Sequence, residues 1–190
     1  MSEMVQRIVN SEARRNARGE LVVYALRPED GGGRYEVAGI NERYHSEKAA
    51  ELKALIEAGH PIQAEREAVR YIKEYTNTSG AISENPGLSY NLRDCAWNRG
   101  PTGAIKILQG ALEVATDGHF GPISQAALTQ ASRDFTALLQ SIRTSRENYE
   151  RTRGRDESSI FWNGLKKRWN RVLTEGISYN DGTIELVPVM

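Results

Sequence analysis

Apolar residues at Met4, Ile8 and Val9 recur at helical spacing, which predicts a first helix carrying Glu12 at or near its last turn. The period then changes. "ELVVYAL" is rich in β-branched and aromatic residues, "RPEDGGGR" has the composition of a turn, and "YEVAGI" returns as a second extended run, so residues 20–40 are expected to form a hairpin. Helical spacing resumes from Ser46 to Ile56 and from Pro61 to Tyr75, with Ser46 as the N-cap and Pro61 near a helix start. "NTSGAISENPG" interrupts it. A further helix is expected over about 88–98, and "RGPTGAIKILQGAL" follows, with a joint at Gly100 and Pro101 and an apolar face of Ile105, Leu108 and Leu112. A long helix is predicted from Ile123 to Arg151. After the charged linker "RTRGRDES" comes a last helix from Ile160 to Leu173, and alternation in the tail "GISYNDGTIELVPVM" suggests a short strand or hairpin. The class is mainly α, with one small β element and no internal repeat.

Composition narrows the function classes. The chain has 190 residues and 39% hydrophobic content, enough for a core of its own, in one domain or two small ones. Its 25 basic and 25 acidic side chains cancel, so no overall field gathers nucleic acid. The first twenty residues lack the apolar segment of a secretory signal, and no later run approaches the roughly 20 apolar residues of a membrane span. The product is therefore expected to start in the cytoplasm, without membrane insertion. The single cysteine, Cys95, excludes an intramolecular disulfide and reads as a small core residue.

Most catalytic chemistries lack their residues. His45, His60 and His119 stand far apart with no i, i+4 partner, so no zinc site is expected. "DGGG" has neither the lysine nor the Ser or Thr of a phosphate loop, and "GGGRYEVAG" lacks the strand, glycine and helix order of a dinucleotide fingerprint. Those glycines instead permit a turn with positive φ, or let a ligand approach the backbone. Serines have no G-x-S-x-G context, and no histidine is near Cys95 in sequence. Carboxylates remain. A glutamate at a helix end, facing a hairpin that bears an aspartate, suits glycosidic cleavage, which needs a proton donor and a second carboxylate across the sugar.

The second half carries an ordered series of motifs: "RGPTGAIKILQGAL", "TDGHFGPISQAAL", "IRTSRENYE" and "FWNGLKKRWNRV". These contain a Gly-Pro joint, an alanine before a Leu-Gln pair, a DG-x-x-GP turn, an arginine and tyrosine on a long helix, and a closing Trp-Asn-Arg. With the N-terminal region, over residues 4–173, the chain resembles glycoside hydrolase family 108, the lysozyme-like N-acetylmuramidases, followed by that family's C-terminal predicted peptidoglycan-binding module. Glu12 corresponds to the glutamate of the family's E-G-G motif. Asp30, Gly31 and Gly32 correspond to its D-P-G-G turn, and Gly39 with Ile40 to its Gly-Ile pair. The chain departs from the pattern in two places: Ala13 and Arg14 follow Glu12, and "GELVVYAL" lengthens the span to Asp30.

The resemblance implies a lysozyme-like catalytic region over residues 1–93 with the hairpin at 20–40, a helical module over 94–175 packed on it, and a tail over 176–190. It implies a monomeric, cofactor-free hydrolase of the bond between N-acetylmuramic acid and N-acetylglucosamine in peptidoglycan glycan strands. Such an enzyme is a phage endolysin or an exported bacterial muramidase, acting on the periplasmic or cell-wall peptidoglycan after release. Glu12 is the expected general acid, which needs a desolvated setting to stay protonated, and Asp30 or its rival Glu36 is the second carboxylate. If "YEVAG" alternates, Tyr35 and Val37 share one face and Glu36 takes the other. Gly32, Tyr35, Tyr44 and Tyr90 are the expected groove residues. Trp97, Phe161, Trp162 and Trp169 read as core, with Trp169 packing the two halves together, and the DG-x-x-GP turn reads as scaffold. Arg143 and Arg171 bind wall peptide carboxylates or pair with internal acids. The altered residues after Glu12 also admit a non-catalytic wall-binding or secretion-assisting protein of the same fold.

Overall fold

In the computed structural model of this chain, residues 2–27 and 32–184 are described, and the chain forms two compact units that divide between Tyr75 and Thr76. The expected boundary at 93/94 instead falls within a helix whose Leu88, Leu92, Cys95 and Ala96 share one core cluster. Apolar contacts on both sides of that point hold it in a single unit.

The first unit contains α1 (Ser2–Glu12), β1 (Tyr24–Ala25), β2 (Tyr35–Val37), β3 (Ile40–Asn41), α2 (Ser46–Glu57) and α3 (Pro61–Tyr75). Met4, Val5, Ile8 and Val9 of α1 are buried, and α1 packs on α3, whose Ala64 and Ala68 keep one face small enough for close approach. The other side of the unit is built by α2, which packs on both α3 and the sheet. His45, not Ser46, occupies the N-cap position of α2. Its ring does not cap the helix, because its Nδ1 is engaged with the Tyr71 hydroxyl at 2.8 Å.

The strands form an antiparallel sheet in the order β1-β2-β3. The second extended run does not continue straight to Ile40, as the sequence suggested. It turns through Ala38 (φ 52°) and Gly39 (φ 75°), a two-residue loop with both positions left-handed, and returns as β3.

The second unit contains α4 (Asn77–Gly80), α5 (Pro86–Ala111), α6 (Pro122–Ala131), α7 (Phe135–Arg151) and α8 (Trp162–Asn180). The short helix α4 lies in a segment read as irregular. Asn85 caps α5 by accepting from the Leu88 N–H at 2.9 Å, and the predicted joint appears as a break at Gly100 (φ 74°, ψ 163°), after which Pro101 restarts the helix. The helix predicted over 123–151 is two helices: Asp134 is extended and caps α7 by accepting from the Ala137 N–H at 2.9 Å. The last helix continues to Asn180, so residues 176–180 are helical rather than extended, and the rest of the tail beyond 184 lies outside the described residues.

Glycine sets the crossing of α5 and α8. A Cβ on Gly87 would stand 2.2 Å from the Gly176 carbonyl oxygen, so only glycine allows this backbone contact. Beside it, Asn91 donates to the Gly87 and Val172 carbonyls, both at 3.2 Å, and the Asn180 side chain accepts from the Gly87 N–H at 3.0 Å.

Further along α5, Asp94 is wholly buried and receives Arg146 of α7 at 2.7 Å and Arg168 of α8 at 2.8 Å. Burial alone would push the Asp94 carboxyl up, but the two guanidiniums overcome it and hold the group well below the usual carboxylate range. Cys95, next in sequence, is buried as expected, and burial pushes its thiol up. Trp162 and Trp169 are buried against each other edge to face at 5.4 Å within this unit, while Phe161 is 40% exposed. Arg143 and Arg171 pair with Glu147 and Glu175 on their own helices, at 2.5 and 3.5 Å.

The DG-x-x-GP element is scaffold, and Gln109 of the Leu-Gln pair is what holds it. Its buried amide donates to Asp117 at 2.7 Å and to the His119 carbonyl at 3.0 Å, and accepts from the Gly118 N–H at 2.8 Å. Asp94→Ala should destabilise the protein by about 3–5 kcal/mol, because it strands the buried Arg146 charge; urea unfolding measures this. Folding lowers the Asp94 pKa, so its contribution is present above the unfolded carboxyl pKa and is lost as pH falls towards the folded value. Asp94→Asn should accordingly show a shallower acid loss of stability than wild type.

Candidate active site

The residues around Glu12 derive their positions from the end of α1 and the turn between β2 and β3. α1 ends at Glu12, and the Ala13 N–H still bonds back to the Val9 carbonyl at 2.8 Å. The half-buried Glu12 side chain lies against Gly39. A Cβ added at Gly39 would stand 2.8 Å from the Glu12 Cβ, 3.0 Å from its Cγ and 3.3 Å from its Cδ. Gly39 is thus required twice, for its left-handed φ and for the space that Glu12 occupies. Ile40 beside it is fully buried and fixes the turn to the core.

The residues between Glu12 and β1 take up the unusual sequence spacing in a small loop of their own. Arg15 pairs with Leu21 as an isolated antiparallel bridge, Val22 N–H bonds the Arg14 carbonyl, and Asn16 closes the tip by accepting from the N–H groups of Arg18 and Glu20. Part of the intervening segment forms this loop, and the rest, Tyr24 and Ala25, is β1 itself. Leu21, 1% exposed, anchors the loop in the core.

Of the two arginines after Glu12, Arg15 is structural. It makes two bonds to Glu65 of α3, at 2.8 and 2.7 Å, and Gln6 donates to the same carboxylate at 2.7 Å. The Arg15 hydrogen bonds hold the Glu65 carboxyl below its ordinary value, and the same pairing raises Arg15. Arg14 is exposed, with its guanidinium 5.0 Å from the centre of the Tyr24 ring.

Register places Tyr24, Glu36 and Asn41 side by side across the sheet, so these three share one face. Tyr35 and Val37 take the other face: Val37 is fully buried, and the Tyr35 ring lies 5.9 Å from Lys53 of α2. Tyr35 and Glu36, both expected at the site, are therefore on opposite faces. Asn41, which sequence reasoning passed over, secures the glycine turn by donating to the Gly32 carbonyl at 3.0 Å and accepting from the Arg43 N–H at 2.8 Å. Gly32 (φ 87°) lies against the Arg43 side chain, and Gly33 against Asn41. Asp30 and Gly31 lie outside the described residues.

Tyr44 is 65% exposed at the rim of a cavity of about 440 Å³ that it shares with His45, Lys48 and Tyr71. His45 stands edge-on to Tyr71 and Tyr75, at 5.5 and 5.3 Å, and burial pushes its pKa down, leaving a neutral ring at pH 7. Tyr90 is not a groove residue. It is fully buried in the second unit, its ring tilted against that of Tyr179 at 5.3 Å and its hydroxyl donating to Glu175. Its place on the buried face of α5, between Leu88 and Leu92, directs it into the core.

Gly39→Ala should cost about 1–2 kcal/mol for the left-handed backbone alone, with a further loss from the collision with Glu12. Thermal unfolding should show the drop. The equivalent change at exposed Gly59, which is also left-handed but where an added Cβ would meet nothing within 4 Å, should show only the backbone part.

No family model matches the chain, and no curated protein matches it. Its fold is similar to a solved structure, that of Brucella abortus SagA, with a TM-score of 0.69 and 22% sequence identity over 94% of each chain. The likeness at this identity is one of fold: a mainly helical, lysozyme-like architecture with a small antiparallel sheet following the first helix.

Proposed function

We propose that this chain is a peptidoglycan hydrolase of the N-acetylmuramidase type, with Glu12 as the general acid. The observation that carries the reading is the seating of Glu12. It ends the first helix of a lysozyme-like fold and lies on the one glycine that lets a sheet turn approach it. The resemblance to glycoside hydrolase family 108 in the residues around Glu12, Gly32 and Gly39 supports the same assignment.

In this reading Glu12 protonates the glycosidic oxygen as the bond to N-acetylmuramic acid breaks, and a second carboxylate offsets the positive charge on the sugar or activates water. Asp30 and Glu36 are the two candidates. Glu36 lies in the central strand beside Tyr24 and Asn41, on a firm support. Asp30 lies outside the described residues, two positions before Gly32, whose carbonyl Asn41 holds. The enzyme reaches the wall after release from the cytoplasm and uses no cofactor in this scheme.

A second reading, a wall-binding protein without turnover, is favoured by Arg14. Its exposed guanidinium rests over Tyr24, in the same row as Glu36, where the family pattern has a glycine. Loss of turbidity on purified peptidoglycan, set against simple co-sedimentation with it, separates the two.

Glu12→Gln should lower muramidase turnover by at least about 100-fold with unchanged melting temperature, since it removes the transferable proton and keeps the shape. Near-normal turnover in that variant overturns the assignment. The digest should contain new reducing ends at muramic acid and no released peptides, as read by mass spectrometry. For the second carboxylate, Asp30→Asn and Glu36→Gln are compared at equal stability: the slower variant identifies the residue.

A further inference from the structure

The second unit contains a cationic cavity that the proposed hydrolysis does not use. It has a volume of about 380 Å³, and its lining includes Lys106, Thr116, Ser145, Asn148, Tyr149 and Arg153. That volume lies within the roughly 300–1,000 Å³ range of small-ligand sites.

Its side chains are held in place by the fold. The Lys106 stem crosses Gly118, where an added Cβ would meet the lysine Cε at 3.0 Å. The Tyr149 ring lies over Gly103, where an added Cβ would stand 3.2 Å from the phenol oxygen. Arg153 stacks at 4.9 Å from the centre of that ring and donates to its hydroxyl at 2.8 Å. The buried Ser145 hydroxyl donates to the Ile107 carbonyl at 2.7 Å and keeps capacity to accept.

Charge in the cavity is not neutralised. Among the described residues, Lys106 has no hydrogen-bond or ion-pair partner and Arg153 has no carboxylate partner, while most of the surface arginines of this unit pair with a glutamate. The Asn148 and Thr116 side chains have no partner among the described residues either. We propose that this groove binds the terminal carboxylate of a short peptide between Lys106 and Arg153.

A carboxylate fits better than a phosphate. The cavity lies beside the last turn of α7, where the helix carbonyls present partial negative charge, and among the described residues its lining contains no glycine-rich loop or helix N-terminus. A single negative charge is compatible with that setting and a double one is opposed. Asn148 and Thr116 supply the donors and acceptors that a peptide amide requires, and the Tyr149 ring supplies an apolar wall for a small side chain.

The test is calorimetric titration of the full chain with acetyl-alanyl-alanine, in its D,D and L,L forms, and with the corresponding C-terminal amides. The acids should bind, with at least tenfold weaker binding of the amides, and either stereoisomer supports the site, the tighter one naming wall peptide or protein C-terminus as the source. Lys106→Met keeps the packed stem and Arg153→Gln keeps a polar end; each should weaken binding about tenfold without a change in melting temperature. Equal binding of acid and amide, unchanged binding in the double variant, no measurable binding of any peptide, or tighter binding of inorganic phosphate would each overturn the proposal.

Discussion

A carboxylate with no access to water must find cations, and in the second unit Asp94 imposes that condition on three helices. Arg146 and Arg168 reach it from α7 and α8, and Arg146 also donates to the Asn91 carbonyl at 2.9 Å, tying its charge to the α5 backbone. A buried ion pair of this kind is weak evidence for net stability, since two hydrophobic residues of the same volume often do as well. What it supplies is register. Sliding α7 or α8 by one turn would leave a buried charge unpaired, while the apolar cluster around Leu92, Leu108 and Leu139 would tolerate such a slip far better. The Gly87–Gly176 contact works in the same direction, because only one relative height of α5 and α8 brings two missing side chains together.

The first unit is arranged by the same kind of constraint, now at its surface. Glu12 and Gly39 fit because one lacks a side chain where the other has its own, and the left-handed turn at Ala38 and Gly39 cannot shift register without exposing Val37 and Ile40. Arg15 adds a second tie between the end of α1 and α3 through Glu65. The pair is about one quarter exposed at each partner, so its worth is about 1 kcal/mol. Its larger effect is geometric: it fixes the chain immediately after Glu12.

Element positions were legible wherever local chemistry announces them. Pro61, the Gly100–Pro101 joint and the apolar stripe of α1 all act within a few residues, and each appears where the pattern places it. The break between α6 and α7 was legible in principle, since aspartate at position 134 is a favoured N-cap residue, but continuous apolar spacing across it masked the signal. Gly176 misled in the opposite sense. It opens the segment expected to be an extended tail, yet it lies inside α8, and it is glycine because α5 comes too close for any Cβ. The partners of Asp94 and the burial of Tyr90 were not legible, because they depend on pairings more than fifty residues apart along the chain.

The candidate site divides along the same line. Glu12, Gly32 and Gly39 were assigned through the family resemblance, and what the structure adds is local: Glu12 ends α1 against Gly39, and both glycines are left-handed. Asn41 and Arg15 were missed because their roles are to hold other residues in place: Asn41 grips the glycine turn by a side chain, and Arg15 crosses to another helix. The departure from the family pattern after Glu12 becomes intelligible on these terms. Here the chain is clamped through Arg15 and folded into a loop of its own, and Arg14 is carried onto Tyr24. Arg14 thus stands in the row of Tyr24 and Glu36, while the end of α1 and the turn at Ala38 and Gly39 seat Glu12 by close packing, so the cation and the seat of the carboxyl group are set by separate contacts.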